Sequence, residues 1–192
     1  TIEFSTFKHL SVQGLVTDVG MVATAFSVSQ KLFSEKFDLV INIGIAGAFD
    51  ASLKIGDVVQ VVSDRIVELG VEDNGVFIPA DEMDLVDIDQ TLFVSQTLVN
   101  CLPTVTGITV NRVHGSVDSI LKTIHQFNPD VESMEGAAVA YTCHKLGIPW
   151  VQIRAISNKV EPRNKTNWNI PLALKNLQKE VTQYLKQLAD EA

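Results

Sequence analysis

The sequence predicts an α/β domain, and three observations predict it. Strand-like and helix-like segments alternate along the chain, the order that yields a sheet with helices packed on it. Residues 38–45, Asp-Leu-Val-Ile-Asn-Ile-Gly-Ile, form a near-continuous apolar run, as a strand covered on both faces does. Residues 169–189 read as a closing amphipathic helix with Pro171 in its first turn, where its missing N–H costs nothing. No repeat, low-complexity stretch or linker rich in Pro, Gly or Ser interrupts the 192 residues, so residues 1–192 are expected to form a single domain.

The elements follow in order. Residues 2–8 and 11–17 read as a short hairpin. Asp18-Val19-Gly20 leads into a helix over 21–33, with small and apolar residues at helical spacing. The strand at 38–45 ends in Gly44-Ile45-Ala46-Gly47-Ala48-Phe49. A second strand over 57–69 is long enough to bend around the sheet. Residues 70–88 are acidic and irregular, with Asp73-Asn74-Gly75 and Pro79 as turn signals. Residues 89–100 read as helical and 105–113 as a strand ending at His114-Gly115-Ser116. A helix over 116–127 takes Ser116 as its N-cap, with Ser119 as the alternative. A helix over 135–146 closes at Gly147 and Pro149, and 150–156 is a buried strand.

Composition excludes several functions. The formal net charge of −8 argues against nucleic acid, whose phosphates call for a surplus of Lys and Arg on one face. A small anionic substrate needs only one local Arg. No apolar run reaches the roughly 18–20 residues of a membrane span, and the first seven residues lack the regions of a signal peptide. Cys101 and Cys143 fit two free thiols, and a cytoplasmic location is expected. His9, His114, His125 and His144 form no ligand cluster, so neither a metal nor a cofactor is expected.

Ligands of α/β sheets gather at the carboxyl ends of strands. Four such ends here carry glycine, a polar side chain or both. The Gly44-Ile45-Ala46-Gly47 turn is neither a dinucleotide fingerprint nor a P-loop. It is a tight strand exit, or a backbone surface that a sugar or phosphate can approach. In Ser133-Met134-Glu135-Gly136, Glu135 opens a helix whose dipole favours a carboxylate. The same carboxylate could accept hydrogen bonds from two adjacent ribose hydroxyls. Met134 beside it either fills the core or offers a polarizable face to a sugar. Arg154 ends a buried strand and needs a carboxylate or an anionic ligand. Asn158 is a turn residue, or a paired donor and acceptor for the edge of a base.

Taken together, these segments resemble the purine nucleoside phosphorylase and nucleosidase superfamily. The motifs that carry the resemblance are Gly44-Ile45-Ala46-Gly47, Ile55-Gly56-Asp57-Val58-Val59, Met134-Glu135-Gly136-Ala137-Ala138 and Arg154-Ala155-Ile156-Ser157, in that order. Their branch is that of methylthioadenosine/S-adenosylhomocysteine nucleosidases and futalosine hydrolases. The resemblance implies a central twisted mixed β-sheet flanked by helices on both faces. It gives Met134 and Glu135 to the ribose, places Arg154 near the nucleophile, and lines the pocket with Ala46 and Gly47. Gly115, Ser116 and Val117 match the family's base-binding loop loosely. His114 is either a ligand or a strand-end residue facing solvent. The resemblance implies dimers or larger assemblies in which a neighbour closes the pocket, so a homodimer or higher homo-oligomer is expected, with no nucleic acid or membrane partner.

The sequence departs from the family in two places. Methylthioadenosine nucleosidases follow Arg-Ala-Ile-Ser with an Asp that protonates N7 of adenine, whereas here the residue is Asn158. An amide can donate to O6 of a 6-oxopurine and accept from N7–H, which favours futalosine, whose leaving group is hypoxanthine and whose hydrolysis belongs to menaquinone biosynthesis. Val160-Glu161-Pro162-Arg163-Asn164 and Trp168-Asn169-Ile170-Pro171 resemble futalosine hydrolases too. Arg163 is a surface residue or a partner for the benzoate of futalosine. The other departure is at the start. The family's first strand, with a Glu that activates water, has no match before Val16, so the N-terminal strand is expected to be missing.

The expected reaction is therefore hydrolysis of a purine nucleoside through an oxocarbenium-like transition state. Arg154 and Asn158 are the catalytic candidates. A methylthioadenosine/S-adenosylhomocysteine nucleosidase and a purine nucleoside phosphorylase are the alternatives. Ile45, standing where a phosphate-binding hydroxyl would be useful, counts against the phosphorylase. A nucleoside-binding protein without catalysis is the alternative of another class.

Overall fold

The computed structural model describes residues 10–99 and 101–191. Two parallel strands form its spine. Strand β1 (Val40–Ala48) pairs with β8 (Trp150–Lys159) from Val40↔Trp150 to Ala46↔Ile156. One extra residue in β8 then shifts the register, so Gly47 lies opposite Asn158. Strand β2 (Val58–Ile66) bends as its length predicted. Its first residues, Val58–Gln60 in number order 58–60, run antiparallel to β8, and its later ones pair in parallel with β6 (Thr104–Thr109). The short β7 (Val131–Ser133) is parallel to β6 and meets the end of β1 antiparallel at Gly47↔Glu132. The strands β2, β6, β7, β1 and β8 thus close into a circuit. Val59, Val61, Val105, Val131, Ala46, Ala48 and Ile156 pack as one buried cluster among them.

Helices cover both faces. Helices α1 (Met21–Ser34) and α3 (Gly136–Leu146) lie on one, packing Val28, Ala137, Ala140 and Cys143 with Trp150. Helix α4 (Ile170–Glu191) lies on the other, setting Ala173, Leu177, Val181 and Leu185 on Val151, Ile153 and Ala155. A strand sandwiched this way must be apolar on both sides, and this explains the runs at 38–45 and 150–156. Helix α2 (Val117–Phe127) starts where Ser116 caps it, accepting from the Ser119 N–H, and α3 ends at Gly147 in the left-handed conformation (φ 66°). Among the described residues no helix is long and apolar enough to cross a membrane.

Four expectations on local structure need correction. Residues 11–17 form no strand, and 2–8 lie outside the described residues. Residues 70–88 are not irregular throughout: β3 (Gly70–Asp73) and β4 (Val76–Pro79) form a hairpin. Its turn residues Asn74 and Gly75 both have positive φ, the conformation an Asn-Gly hairpin turn requires. Residues 89–100 are not a helix. A 3-10 turn over Ile88–Gln90 leads into β5 (Leu92–Val94), which adds to β2. Pairing with β2 and burial of Phe93 against α3 fix this short segment as a strand. The strands expected at 57–69 and 105–113 are shorter, spanning Val58–Ile66 and Thr104–Thr109; past β6 the Asn111 N–H bonds Glu68 Oε2.

Candidate active site

The carboxyl ends of β1, β7 and β8 meet at one edge of the strand circuit, and the register sets Gly44 beside Arg154 and Gly47 beside Asn158 and Glu132 there. Gly44 lies opposite Arg154, whose guanidinium rests against its bare Cα. A Cβ at residue 44 would stand 2.1 Å from Arg154 Nη1. Glycine at 44 is thus what lets an arginine lie flat in the sheet. Arg154 is 2% exposed, and its Nε and Nη2 have no hydrogen-bond partner among the described residues. Burial lowers its pKa, while the charges of Asp64 and Glu135 work the other way. Among the described residues no carboxylate lies within ion-pairing distance of it, so of the two readings, a structural salt bridge or an anionic ligand, the described residues do not supply the first.

Glu135 is the N-cap residue of α3, but its carboxylate does not cap that helix. It crosses to α1 and accepts the Gly20 N–H at 2.9 Å through Oε1. Glu135 and Met134 are both half-buried. One step along β1, a Cβ at Gly47 would meet Asn158 Nδ2 at 3.1 Å and Glu132 Cγ at 3.5 Å. Asn158 is buried. Its Oδ1 accepts from Ser157 Oγ at 2.7 Å, and its Nδ2 donates to Lys159 O at 2.9 Å. One N–H and one lone pair of the amide remain for another partner. Ala46 packs into the core of the strand circuit, with its carbonyl oxygen 3.3 Å from Ser157 Oγ.

His114 neither faces solvent nor stands free as a ligand. Its Nδ1 lies 2.6 Å from Glu132 Oε2, its backbone N–H donates to the same carboxylate, and its Nε2 lies 2.8 Å from Thr123 Oγ1. This clamp holds the 114–117 loop onto β7 and α2. Gly115 O then accepts the Arg163 N–H at 3.2 Å, and the Arg163 side chain extends over the Trp168 ring. Ser116 and Val117 are exposed at the start of α2. Ile45, on the other face of β1, packs toward the α4 cluster. Its side chain therefore has no bearing on a choice between water and phosphate, contrary to expectation.

Three further polar residues escaped the sequence reading. Glu132 is 3% exposed, and Asp64 and Gln152 are fully buried. A charge inside an apolar strand, the argument applied to Arg154, would have found Asp64 within Val-Val-Gln-Val-Val-Ser-Asp-Arg-Ile and Glu132 between Val131 and Ser133. No group of three or more His, Cys, Asp or Glu among the described residues could hold a metal ion.

With this geometry in place, comparison with known proteins assigns the family. Residues 3–189 match the family model described as the phosphorylase superfamily. The chain belongs to the phosphorylase superfamily. Within it, the chain is 30% identical over 196 residues to a 5′-methylthioadenosine/S-adenosylhomocysteine nucleosidase of Marinomonas sp., covering 94% of this chain and 83% of that protein. It is 31% identical over 175 residues to a futalosine hydrolase of Acidothermus cellulolyticus, covering 85% of this chain and 71% of that one. Two solved structures of the superfamily share the fold. A 5′-methylthioadenosine/S-adenosylhomocysteine nucleosidase of Neisseria meningitidis, in complex with methylthio-immucillin-A, has a TM-score of 0.73 at 23% identity, over 90% of this chain and 79% of that one. A futalosine hydrolase of Helicobacter pylori has a TM-score of 0.73 at 17% identity, over 92% and 78%.

Proposed function

We propose that this chain hydrolyses the N-glycosidic bond of a purine nucleoside, and that futalosine is the substrate its residues favour. The observation that carries the 6-oxopurine choice is Asn158 beside Gly47, with one N–H and one lone pair uncommitted. Relatives of both substrate types stand at nearly equal identity, so the choice rests on this side chain.

In this reading Glu135 receives the ribose. Gly20 occupies one lone pair of Oε1, which leaves Oε2 to accept from two adjacent hydroxyls. Met134 packs on the sugar face. The glycosidic bond loosens toward an oxocarbenium-like ribosyl group, and the carboxylate of Glu135 favours that positive charge. The purine leaves with electron density on its six-membered ring and N7. The attacking water gives up a proton as it bonds the anomeric carbon, and a proton from solvent reaches N7 of the leaving base; Asn158 donates its remaining N–H to O6 and accepts from the resulting N7–H. Arg154 directs its unpartnered N–H groups at the nucleophile or its oxygen. The loop at Gly115, Ser116 and Val117 borders the base, and Ala46 and Gly47 form the floor. Arg163, whose backbone N–H is bound to Gly115 O and whose guanidinium lies 6.0 Å from the Trp168 ring centre, would receive a carboxylate carried by the substrate.

Exchanging the amide for an acid tests the substrate choice. Asn158→Asp should move the kcat/KM ratio of futalosine over methylthioadenosine toward adenine by at least about tenfold, since a carboxyl can protonate N7 and an amide cannot. An unchanged ratio would remove Asn158 from base recognition.

A further inference from the structure

Beneath the proposed ribose site lies a polar cluster that the reaction described above does not use. Asp64 of β2 is fully buried. Its Oδ1 accepts from Thr109 Oγ1 of β6 at 2.8 Å, and its Oδ2 accepts from Gln152 Nε2 of β8 at 2.8 Å. Thr109 Oγ1 in turn accepts the Ala137 N–H, in the first turn of α3, at 2.7 Å. Helix α3 starts against the carboxylate itself. A Cβ at Gly136 would stand 2.1 Å from Asp64 Oδ2 and 2.4 Å from Gln152 Nε2, so only glycine allows the helix start this close. Gln152 sits two residues before Arg154 on the same strand and therefore on the same side of it.

We infer that Asp64 is a positioning residue of the active site, a buried counter-charge that fixes Arg154 and the helix start carrying Met134 and Glu135 relative to each other. The inference rests on the nucleosidase reading for its catalytic consequence. The geometry supports it in three ways. Asp64 is tied to both elements, to α3 through Thr109 and to β8 through Gln152. Arg154 has no ion-pair partner among the described residues, and the negative charges that favour its protonated form are those of Asp64 and, more weakly, Glu135. A buried carboxylate is costly where an apolar side chain of similar size would serve for packing, so packing alone does not account for it. The groups around Asp64 are otherwise neutral: Thr109 and Gly107 on β6, Gln152 on β8, Gly136 at the start of α3, and Phe93 on β5, the register partner of Asp64. Arg154 and, more distantly, Glu135 are the charges of this neighbourhood, and Arg65 contributes only its backbone N–H. His114 is bound to Glu132 and Thr123 instead.

Burial pushes the Asp64 carboxyl up to about 6, against the pull of Gln152, Thr109 and Arg154. The counter-charge is therefore present at neutral pH and is withdrawn on mild acidification. Asp64→Asn separates charge from shape. The amide keeps an acceptor for Thr109, and its N–H₂ can donate to Gln152 Oε1, which has no partner among the described residues. With futalosine at pH 7.5, D64N should lose at least tenfold in kcat. Wild-type kcat should fall on an acid limb near pH 6 that D64N lacks. Thr109→Val, which keeps the charge but cuts the link to α3, should lower kcat and retain that limb. Wild-type kcat in D64N, or the same acid limb in both proteins, overturns the inference. A readout that needs no turnover separates it from the nucleosidase reading. The ¹⁵N resonance of Arg154 Nε in the free wild-type protein should titrate near pH 6, and in D64N it should not. A wild-type protein that releases no purine base but shows this titration refutes the nucleosidase reading alone. An Arg154 resonance that ignores pH overturns the placement of Asp64.

Discussion

Removing the charge of Asp64 should stabilise the protein above pH 6, and the size of the effect follows from its burial. Desolvation is the largest influence on this carboxyl and raises it from an ordinary 3.8 to about 6. The folded state therefore holds the Asp64 proton to higher pH than the unfolded chain. Between the two values the folded state binds more protons, so stability falls as pH rises through that window, and the loss is complete above about pH 6. The interval corresponds to about 3 kcal/mol at 1.36 kcal/mol per decade. Asn approximates the protonated form, so Asp64→Asn escapes this loss. At pH 8 the variant should be about 2–3 kcal/mol more stable than wild type, the lower figure allowing for weaker hydrogen bonds from Thr109 and Gln152. For a domain of this size that raises Tm by roughly 5–10 °C. Near pH 4 the two proteins should converge. Urea unfolding at a series of pH values measures the difference, in which every other titrating group cancels. A gap that does not change with pH, or a variant less stable than wild type at pH 8, would refute the reasoning.

Two other substitutions probe the site. Glu135→Ala removes the carboxylate assigned to the ribose and should cost a factor of about 10²–10³ in kcat/KM, and near-normal turnover would end that assignment. Gly44→Ala places a methyl group where Arg154 Nη1 now lies; because the obstruction is the end of a flexible side chain, the protein should fold, with turnover reduced by about tenfold or more as Arg154 is displaced. Wild-type kinetics in the folded variant would show that the position of Arg154 does not matter.

The layered architecture and most elements were legible because their signals are local. Gly147 stops α3, Ser116 starts α2, and the apolar runs of β1 and β8 announce strands covered on both faces. The segment at 89–100 was misjudged because β5 exists by pairing with β2, thirty residues earlier in the chain, while its own sequence is neutral. Gly44, Gly47 and Asn158 were legible as flexible or polar residues near strand ends, but the expected turn is strand: β1 continues through Gly44 and Gly47 to Ala48, and β8 through Asn158 to Lys159. What no local pattern shows is the register that sets Gly44 on Arg154 and Gly47 on Asn158, including the one-residue shift in β8. Glu132 and His114 illustrate the same limit. Each has a bland local reading, and only the antiparallel meeting of β7 with β1 brings their clamp to the site.

The most direct test of the central claim is product analysis of futalosine incubated with the purified protein in phosphate-free buffer. Free hypoxanthine should appear together with an equal amount of reducing sugar, at a rate that added phosphate does not raise and in excess over adenine released from methylthioadenosine. Absence of any free base, or release that depends on phosphate and yields a sugar phosphate, would contradict it.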